Sequence, residues 1–295
     1  MKSQEVLHNN LHDFLALCYN YAVGTLYLVA TPIGNLEDLT QRALRILREV
    51  DLIAAEDTRQ TRKLLDHYQI DTPLISYHEH NKLKRLERLR QALEEGDLAL
   101  VSDAGTPGLS DPGYLLVRYA LDAGYPVSPI PGPSAPIAAL VASGLPTDSF
   151  VFLGYLPRRR LERLRLLQEI SGERRTMLAF EVPHRLLRSL EDLETTFGGQ
   201  RPIVVCRELT KMHEEILRDT LSAIREHFAE VEPRGEFTLV IGGVTAGERW
   251  DEAAVRRALD ERIARGLNPS EAAREVAAQA GWPRREVYRL TLEDS

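Results

Sequence analysis

The segment LVSDAGTPGLSDPGY, residues 100–114, places Asp103, Asp111, Thr106, Ser110 and three glycines directly after an apolar run. A loop of this composition turns the chain. It also leaves main chain bare at Gly105, Gly108 and Gly113, so that a ligand can lie against backbone groups. Three further segments have the same character. In ATPIGNLEDLT, Pro32 and Gly34 form a turn, and Asn35 or Asp38 can cap the helix that follows. In AAEDTR, Glu56 and Asp57 open a helix, where acids complement its dipole; at the mouth of a cleft they would serve equally as a general base. In PIPGPSAPIAAL, prolines stiffen the approach to Ser134 and Ala135, which stand where a helix N-terminus leaves N–H groups free. His78 and His80 in YHEHNK alternate as a metal-binding pair would, but no third ligand follows at useful spacing, so no metal is expected.

The elements that would position these loops follow from periodicity. TLYLVA, DLIAA, PLISY, DLALVS and YPVSPI are apolar runs rich in β-branched residues, with amphipathic stretches between them. The runs are continuous, so each strand is expected to be buried on both faces of a mainly parallel sheet, with ligands gathering at the carboxyl ends of its strands. The pattern restarts at FVFLGYL, RTMLAFEV, PIVVCREL and EFTLVIGGV, with helices expected around 159–170, 184–196 and 219–229. The expected organisation is an extension at 1–24, an α/β domain over 25–145, a second α/β domain over 146–246 and a helical tail over 247–295. In the tail, Asn268, Pro269 and Glu271 form an N-terminal capping signature, and AGW turns the chain into a helix carrying Arg284, Arg285 and Arg289.

Composition narrows the functional classes. No G-x-G-x-x-G and no P-loop is present, which removes the strongest signals for dinucleotides and nucleoside triphosphates. Cys18 and Cys206 are too few for a disulfide framework, and no apolar run approaches the roughly 20 residues of a membrane span. The expectation is a cytoplasmic protein without a membrane partner. The net charge of −7 does not favour nucleic acid, yet Arg158, Arg159, Arg160, Arg163, Arg165, Arg174, Arg175 and Arg185 exceed the four glutamates between Leu156 and Arg185. Such a run is a solvated helix face or a phosphate-tracking surface.

The four loop segments, in their order along the chain, resemble the tetrapyrrole methylase superfamily of S-adenosylmethionine-dependent methyltransferases. They are more closely similar to a bacterial branch that modifies ribosomal RNA, a match to which RELTK at 207–211 adds. The resemblance runs from about Gly24 to Val244. It implies two α/β domains of the tetrapyrrole methylase type with a small C-terminal helical segment, assembled as a homodimer. It also implies S-adenosylmethionine as cofactor and the ribose 2′-hydroxyl of a decoding-centre cytidine in 16S rRNA of the small ribosomal subunit as methyl acceptor. Carried over residue by residue, it assigns cofactor binding to Pro32, Asp103, Ala104, Gly105, Thr106, Ser134, Ala135 and Glu181, and leaves Glu56 and Asp57 as the acids to deprotonate the hydroxyl, with His78 or His80 second. Around Glu181 the chain departs from the family pattern, with Ala179, Phe180 and Val182 in place of the usual aromatic, tyrosine and small polar residues. The alternative acceptor is a tetrapyrrole or another non-RNA substrate.

Overall fold

A computed structural model describes residues 24–78, 82–109, 113–244, 252–280 and 282–293. Most of the expected extension, together with His80, Ser110 and Asp111, lies outside these residues.

The chain divides into two compact units, the first comprising residues 1–142 with 206–216 and 235–238, the second the remainder. In the first, β1 (Leu26–Val29), β2 (Leu52–Ala55), β3 (Leu74–Ser76), β4 (Leu98–Val101) and β5 (Val127–Ile130) form one sheet in the order β3-β2-β4-β1-β5. Every pairing in it is parallel, as the continuous apolar runs require. Side-chain alternation sorts the strand residues to two faces. Val29, Ile53, Ala55, Ala99 and Val101 meet Ile46 and Leu47 of α1 (Gln41–Glu49) and Leu65 of α2 (Thr58–His67). Leu26, Ala54, Leu98 and Leu100 meet Leu89 and Leu93 of α3 (Lys82–Glu95) and Leu116 and Ala120 of α4 (Gly113–Asp122). With both faces covered, the loops at the carboxyl ends of the strands are held by a rigid base. The helix α5 (Ala135–Ser143) leaves the last of these loops.

The second sheet runs β6 (Phe150–Tyr155), β7 (Thr176–Glu181), β10 (Phe237–Ile241), β8 (Pro202–Arg207), β9 (Glu215–Thr220), with β6 and β7 parallel. Its helices are α6 (Arg160–Glu169), α7 (Pro183–Phe197) and α8 (Leu221–Glu230). The strand β9 went unseen in the sequence. Its residues are half-buried or exposed at the sheet's edge, so no apolar run announces it.

The tail forms α9 (Glu252–Ala264), α10 (Pro269–Ala280) and α11 (Arg284–Glu293), closed around a core of their own that includes Val255, Leu259, Val276, Val287 and Leu290. Asn268 Oδ1 accepts the Glu271 N–H at 2.9 Å, the expected cap. Among the described residues no helix is long and apolar enough to cross a membrane.

Candidate active site

Four loops of the first unit leave the carboxyl ends of β1, β2, β4 and β5, and hydrogen bonds stitch them into one rim. Thr31 and Gly105 exchange both backbone bonds, Thr31 N–H to Gly105 O at 2.9 Å and Gly105 N–H to Thr31 O at 3.0 Å. The buried Thr31 hydroxyl donates to Ser102 O at 3.1 Å, and Ser102 Oγ reaches Gly105 O at 3.2 Å. Thr106 Oγ1 donates to Pro133 O at 3.3 Å, joining the third loop to the fourth. A Cβ on Gly132 would stand 3.0 Å from Ala30 Cβ, so the first and fourth loops also touch through a close approach that favours glycine. The Asp57 N–H donates to Asp103 Oδ1 at 2.8 Å and fastens the second loop to the third. Pro32, Asp103, Ala104, Gly105, Thr106, Ser134 and Ala135 therefore all belong to one connected rim. Thr31 and Ser102, which the sequence reading passed over, are among its fasteners.

The geometry of Gly105 is specific. Its φ of +78° lies in the left-handed region, where a side chain costs energy, while its own N–H and C=O are spent on Thr31. What it offers a ligand is a bare Cα face. Ser134 precedes α5 with its carbonyl accepting from Ala138 N–H at 2.9 Å, which places it at the helix entrance as expected.

The two acids first considered as bases separate. Asp57 caps α2: Oδ1 accepts the Arg59 N–H at 2.8 Å, and its carboxylate is forked by Arg59 Nε at 3.1 Å and Nη2 at 2.7 Å. The side-chain bonds from Arg59, then the backbone bond, hold the Asp57 pKa down at about 2. A carboxylate so placed is a weak base, and its role in the structure is to fix the loop. Glu56 follows β2 and is half-buried. Asp103 is pushed the other way, above the usual range, by withdrawal from water and then by the charge of Asp57. His78 follows β3.

RELTK also sits in the first unit. A Cβ on Gly34 would fall 2.3 Å from Lys211 Cγ and 3.1 Å from Leu209 O, so the lysine stem lies directly on the ATPIGN loop. Lys211 Nζ donates to Glu208 at 2.8 Å and Glu236 at 3.1 Å, while Glu208 and Thr210 hold left-handed backbones at φ 50° and 66°. Strain of this kind persists only where surrounding contacts over-determine it. No spacing rule links residues 34 and 211, so only the fold reveals this support.

Two expectations for the second unit change. Glu181 is buried and both its oxygens are engaged, Oε1 by the Val182 N–H at 2.8 Å and Arg185 at 2.5 Å, Oε2 by Ser189 Oγ at 2.5 Å. It ties β7 to the first turns of α7. The arginine run is largely spent on ion pairs: Arg163 is buried against Asp192 at 2.6 Å, Arg160 meets the other oxygen of Asp192 at 2.9 Å, and Arg159, Arg175 and Arg185 pair with Glu162, Glu173 and Glu181. Burial gives Arg163 and Arg185 a structural role, while Arg159, Arg160 and Arg175 keep half or more of their side chains exposed beside their acids. Asp192 lies about 30 residues from its partners, beyond the reach of local charge counting.

Comparison with known proteins agrees with this architecture. Residues 25–225 match the family model for Tetrapyrrole (Corrin/Porphyrin) Methylases. A Synechocystis protein named ribosomal RNA small subunit methyltransferase I is 52% identical over 92% of this chain and 98% of its own length. The protein of that name from Halalkalibacterium halodurans is 48% identical over 90% and 94%. Among solved structures, uroporphyrin-III C-methyl transferase from Thermus thermophilus, complexed with S-adenyl homocysteine, superposes with a TM-score of 0.52 at 20% identity, covering 74% of this chain and 97% of that one, a likeness of fold. The chain belongs to the tetrapyrrole methylase family and, within it, to the group named ribosomal RNA small subunit methyltransferase I.

Proposed function

We propose that the chain transfers a methyl group from S-adenosylmethionine to the 2′-hydroxyl of a decoding-centre cytidine in 16S rRNA of the small ribosomal subunit. The observation that carries this reading is the stitched rim, in a chain whose relatives at 52% and 48% identity are named for small-subunit rRNA methylation. The rim suits the cofactor in shape and charge. Gly105 keeps the third loop free of a side chain, and Asp103 bonds a backbone N–H and not a cation, with its burial outweighing the distant charge of Arg59, which suits a ligand that carries positive sulfonium and ammonium groups.

Bound there, the cofactor supplies an electrophilic methyl carbon to an in-line oxygen nucleophile. The chain's part is alignment. Pro32, Ala104, Gly105 and Thr106 would hold the cofactor, with Ser134 and Ala135 at a helix entrance beside it and Asp103 to balance its positive charge. With Asp57 committed to Arg59, the proton of the 2′-hydroxyl goes to Glu56. Glu181 supports the end of β7 through its bonds to Val182, Arg185 and Ser189. The enzyme works as a homodimer in the cytoplasm; Tyr114 and Val141, 62% and 68% exposed on α4 and α5, are apolar surface for a second copy to cover.

Supplying methyl-labelled cofactor with small subunits, protein-free rRNA or a precorrin tests the reading. Label in RNA and none in the precorrin supports it; label in the precorrin alone overturns it.

A further inference from the structure

Beside the rim, the first unit holds an open cavity of about 480 Å³ whose lining is cationic. Thr58, Arg59 and Arg62 come from the first turns of α2, Ser76 from the end of β3, and Arg85 from α3, over a floor of Leu74 and Ile75. No acid lines it. A second cavity of similar size, about 460 Å³ at the opposite end of β2 and β3, mixes Arg48 with Asp51 and Asp71. The arginine cluster is thus a property of the carboxyl end of the sheet, where the rim is.

We propose that this cavity, walled by Arg59, Arg62 and Arg85, binds a phosphodiester of the substrate RNA flanking the methylated nucleotide. The guanidiniums of Arg62 and Arg85, with the Nη1 group that Arg59 does not spend on Asp57 and the Thr58 hydroxyl, are donors of the kind that a phosphate takes, because the planar fork matches its oxygens and stays charged at every relevant pH. Position fits as well. Thr58 follows Asp57, whose N–H is bonded to Asp103 of the rim, so the cavity begins one residue from the cofactor loops. Arg59 is anchored by its fork onto Asp57, which holds one cation in place before RNA arrives. The chain as a whole carries −7, so a local cationic pocket beside the reacting ribose would place the strand and not merely attract it.

The inference rests on the rRNA reading above, and its test separates the two. The full chain carrying Arg62→Gln with Arg85→Gln is compared with wild type, with the lysine pair Arg62→Lys and Arg85→Lys, and with Arg48→Gln from the second cavity. Binding to isolated small subunits, and to protein-free 16S rRNA beside them, is titrated against salt, and S-adenosylmethionine binding is measured by calorimetry. The glutamine pair is expected to bind RNA at least about tenfold more weakly and to lower the slope of log K against log salt by roughly 0.7–0.9, one fewer neutralised phosphate charge. The lysine pair keeps the slope while losing affinity, and Arg48→Gln matches wild type. Cofactor affinity stays unchanged throughout. Wild-type RNA affinity and slope in the glutamine pair would overturn the pocket and leave the function standing. A fall in cofactor affinity would instead give the pocket to the cofactor and overturn the proposal too. Failure of the wild-type chain to bind rRNA in either form, protein-free or in the small subunit, would overturn both readings.

Discussion

Substituting Gly105 by alanine separates the folding cost of a left-handed residue from the binding cost of filling the rim. Gly105 has φ +78° and Gly124, in the turn after α4, has φ +81°. Alanine in this region costs about 1–2 kcal/mol at either position. Sterics add little to folding. A Cβ at 105 would meet Ile33 Cγ2 at 3.4 Å and Pro133 O at 3.7 Å, ordinary contacts, and a Cβ at 124 would meet nothing within 4 Å. Both variants should therefore fold and melt about 2–8 °C below wild type, from the usual relation between stability and melting temperature for a unit of this size. Their cofactor affinities should diverge. Gly105→Ala places a methyl group on the Cα face offered to the ligand, and its S-adenosylmethionine affinity should drop at least about tenfold, equivalent to about 1.4 kcal/mol, while Gly124→Ala should bind as wild type does. Thermal melts with calorimetric titration read both quantities. Equal, undiminished affinity in the two variants would refute the placement of the cofactor against Gly105.

Two other perturbations follow from the same contacts. Asp192→Ala strands the buried guanidinium of Arg163, 4% exposed, and should cost about 3–5 kcal/mol in denaturant unfolding, whereas Arg160→Ser, removing the exposed partner, should change stability far less. Asp103→Asn keeps an acceptor for the Asp57 N–H but removes a charge whose pKa the fold raises, so at neutral pH the unliganded variant should melt no lower than wild type and bind cofactor more weakly; a lower melting temperature would contradict the raised pKa. For Asp57 the sign is opposite. Its folded pKa of about 2 lies below the ordinary value of 3.8, so the stabilisation is complete above that value and is lost as pH falls toward 2, which carboxyl titration by NMR would follow.

Much of the first unit was legible because its strands are buried on both faces. Runs such as LALV at 98–101 admit few other readings, and each turn-rich loop follows such a run. The rim loops could likewise be placed at the carboxyl ends of these strands from their Gly, Pro and hydroxyl content. What escaped was set by distance or by exposure. The strand β9 offers no apolar face because it lies at an edge. Thr40, and not Asn35 or Asp38, caps α1 through its bond to the Ala43 N–H at 3.1 Å, since Asn35 serves the short turn before it. The arginines after Pro157 read as surface until Asp192 arrives from α7. Asp57 reads as a base until its fork with Arg59 is visible, because the residue type is the same for a cap and for a proton acceptor.

The central claim, transfer to a ribose oxygen, is tested most directly by locating the methyl group. Small subunits from cells lacking the modification are incubated with the purified chain and S-adenosylmethionine, and the 16S rRNA is digested to nucleosides for mass spectrometry. The account predicts 2′-O-methylcytidine from a decoding-centre fragment. A methyl group on a base, or no methyl group in the RNA while a tetrapyrrole accepts it, would contradict it.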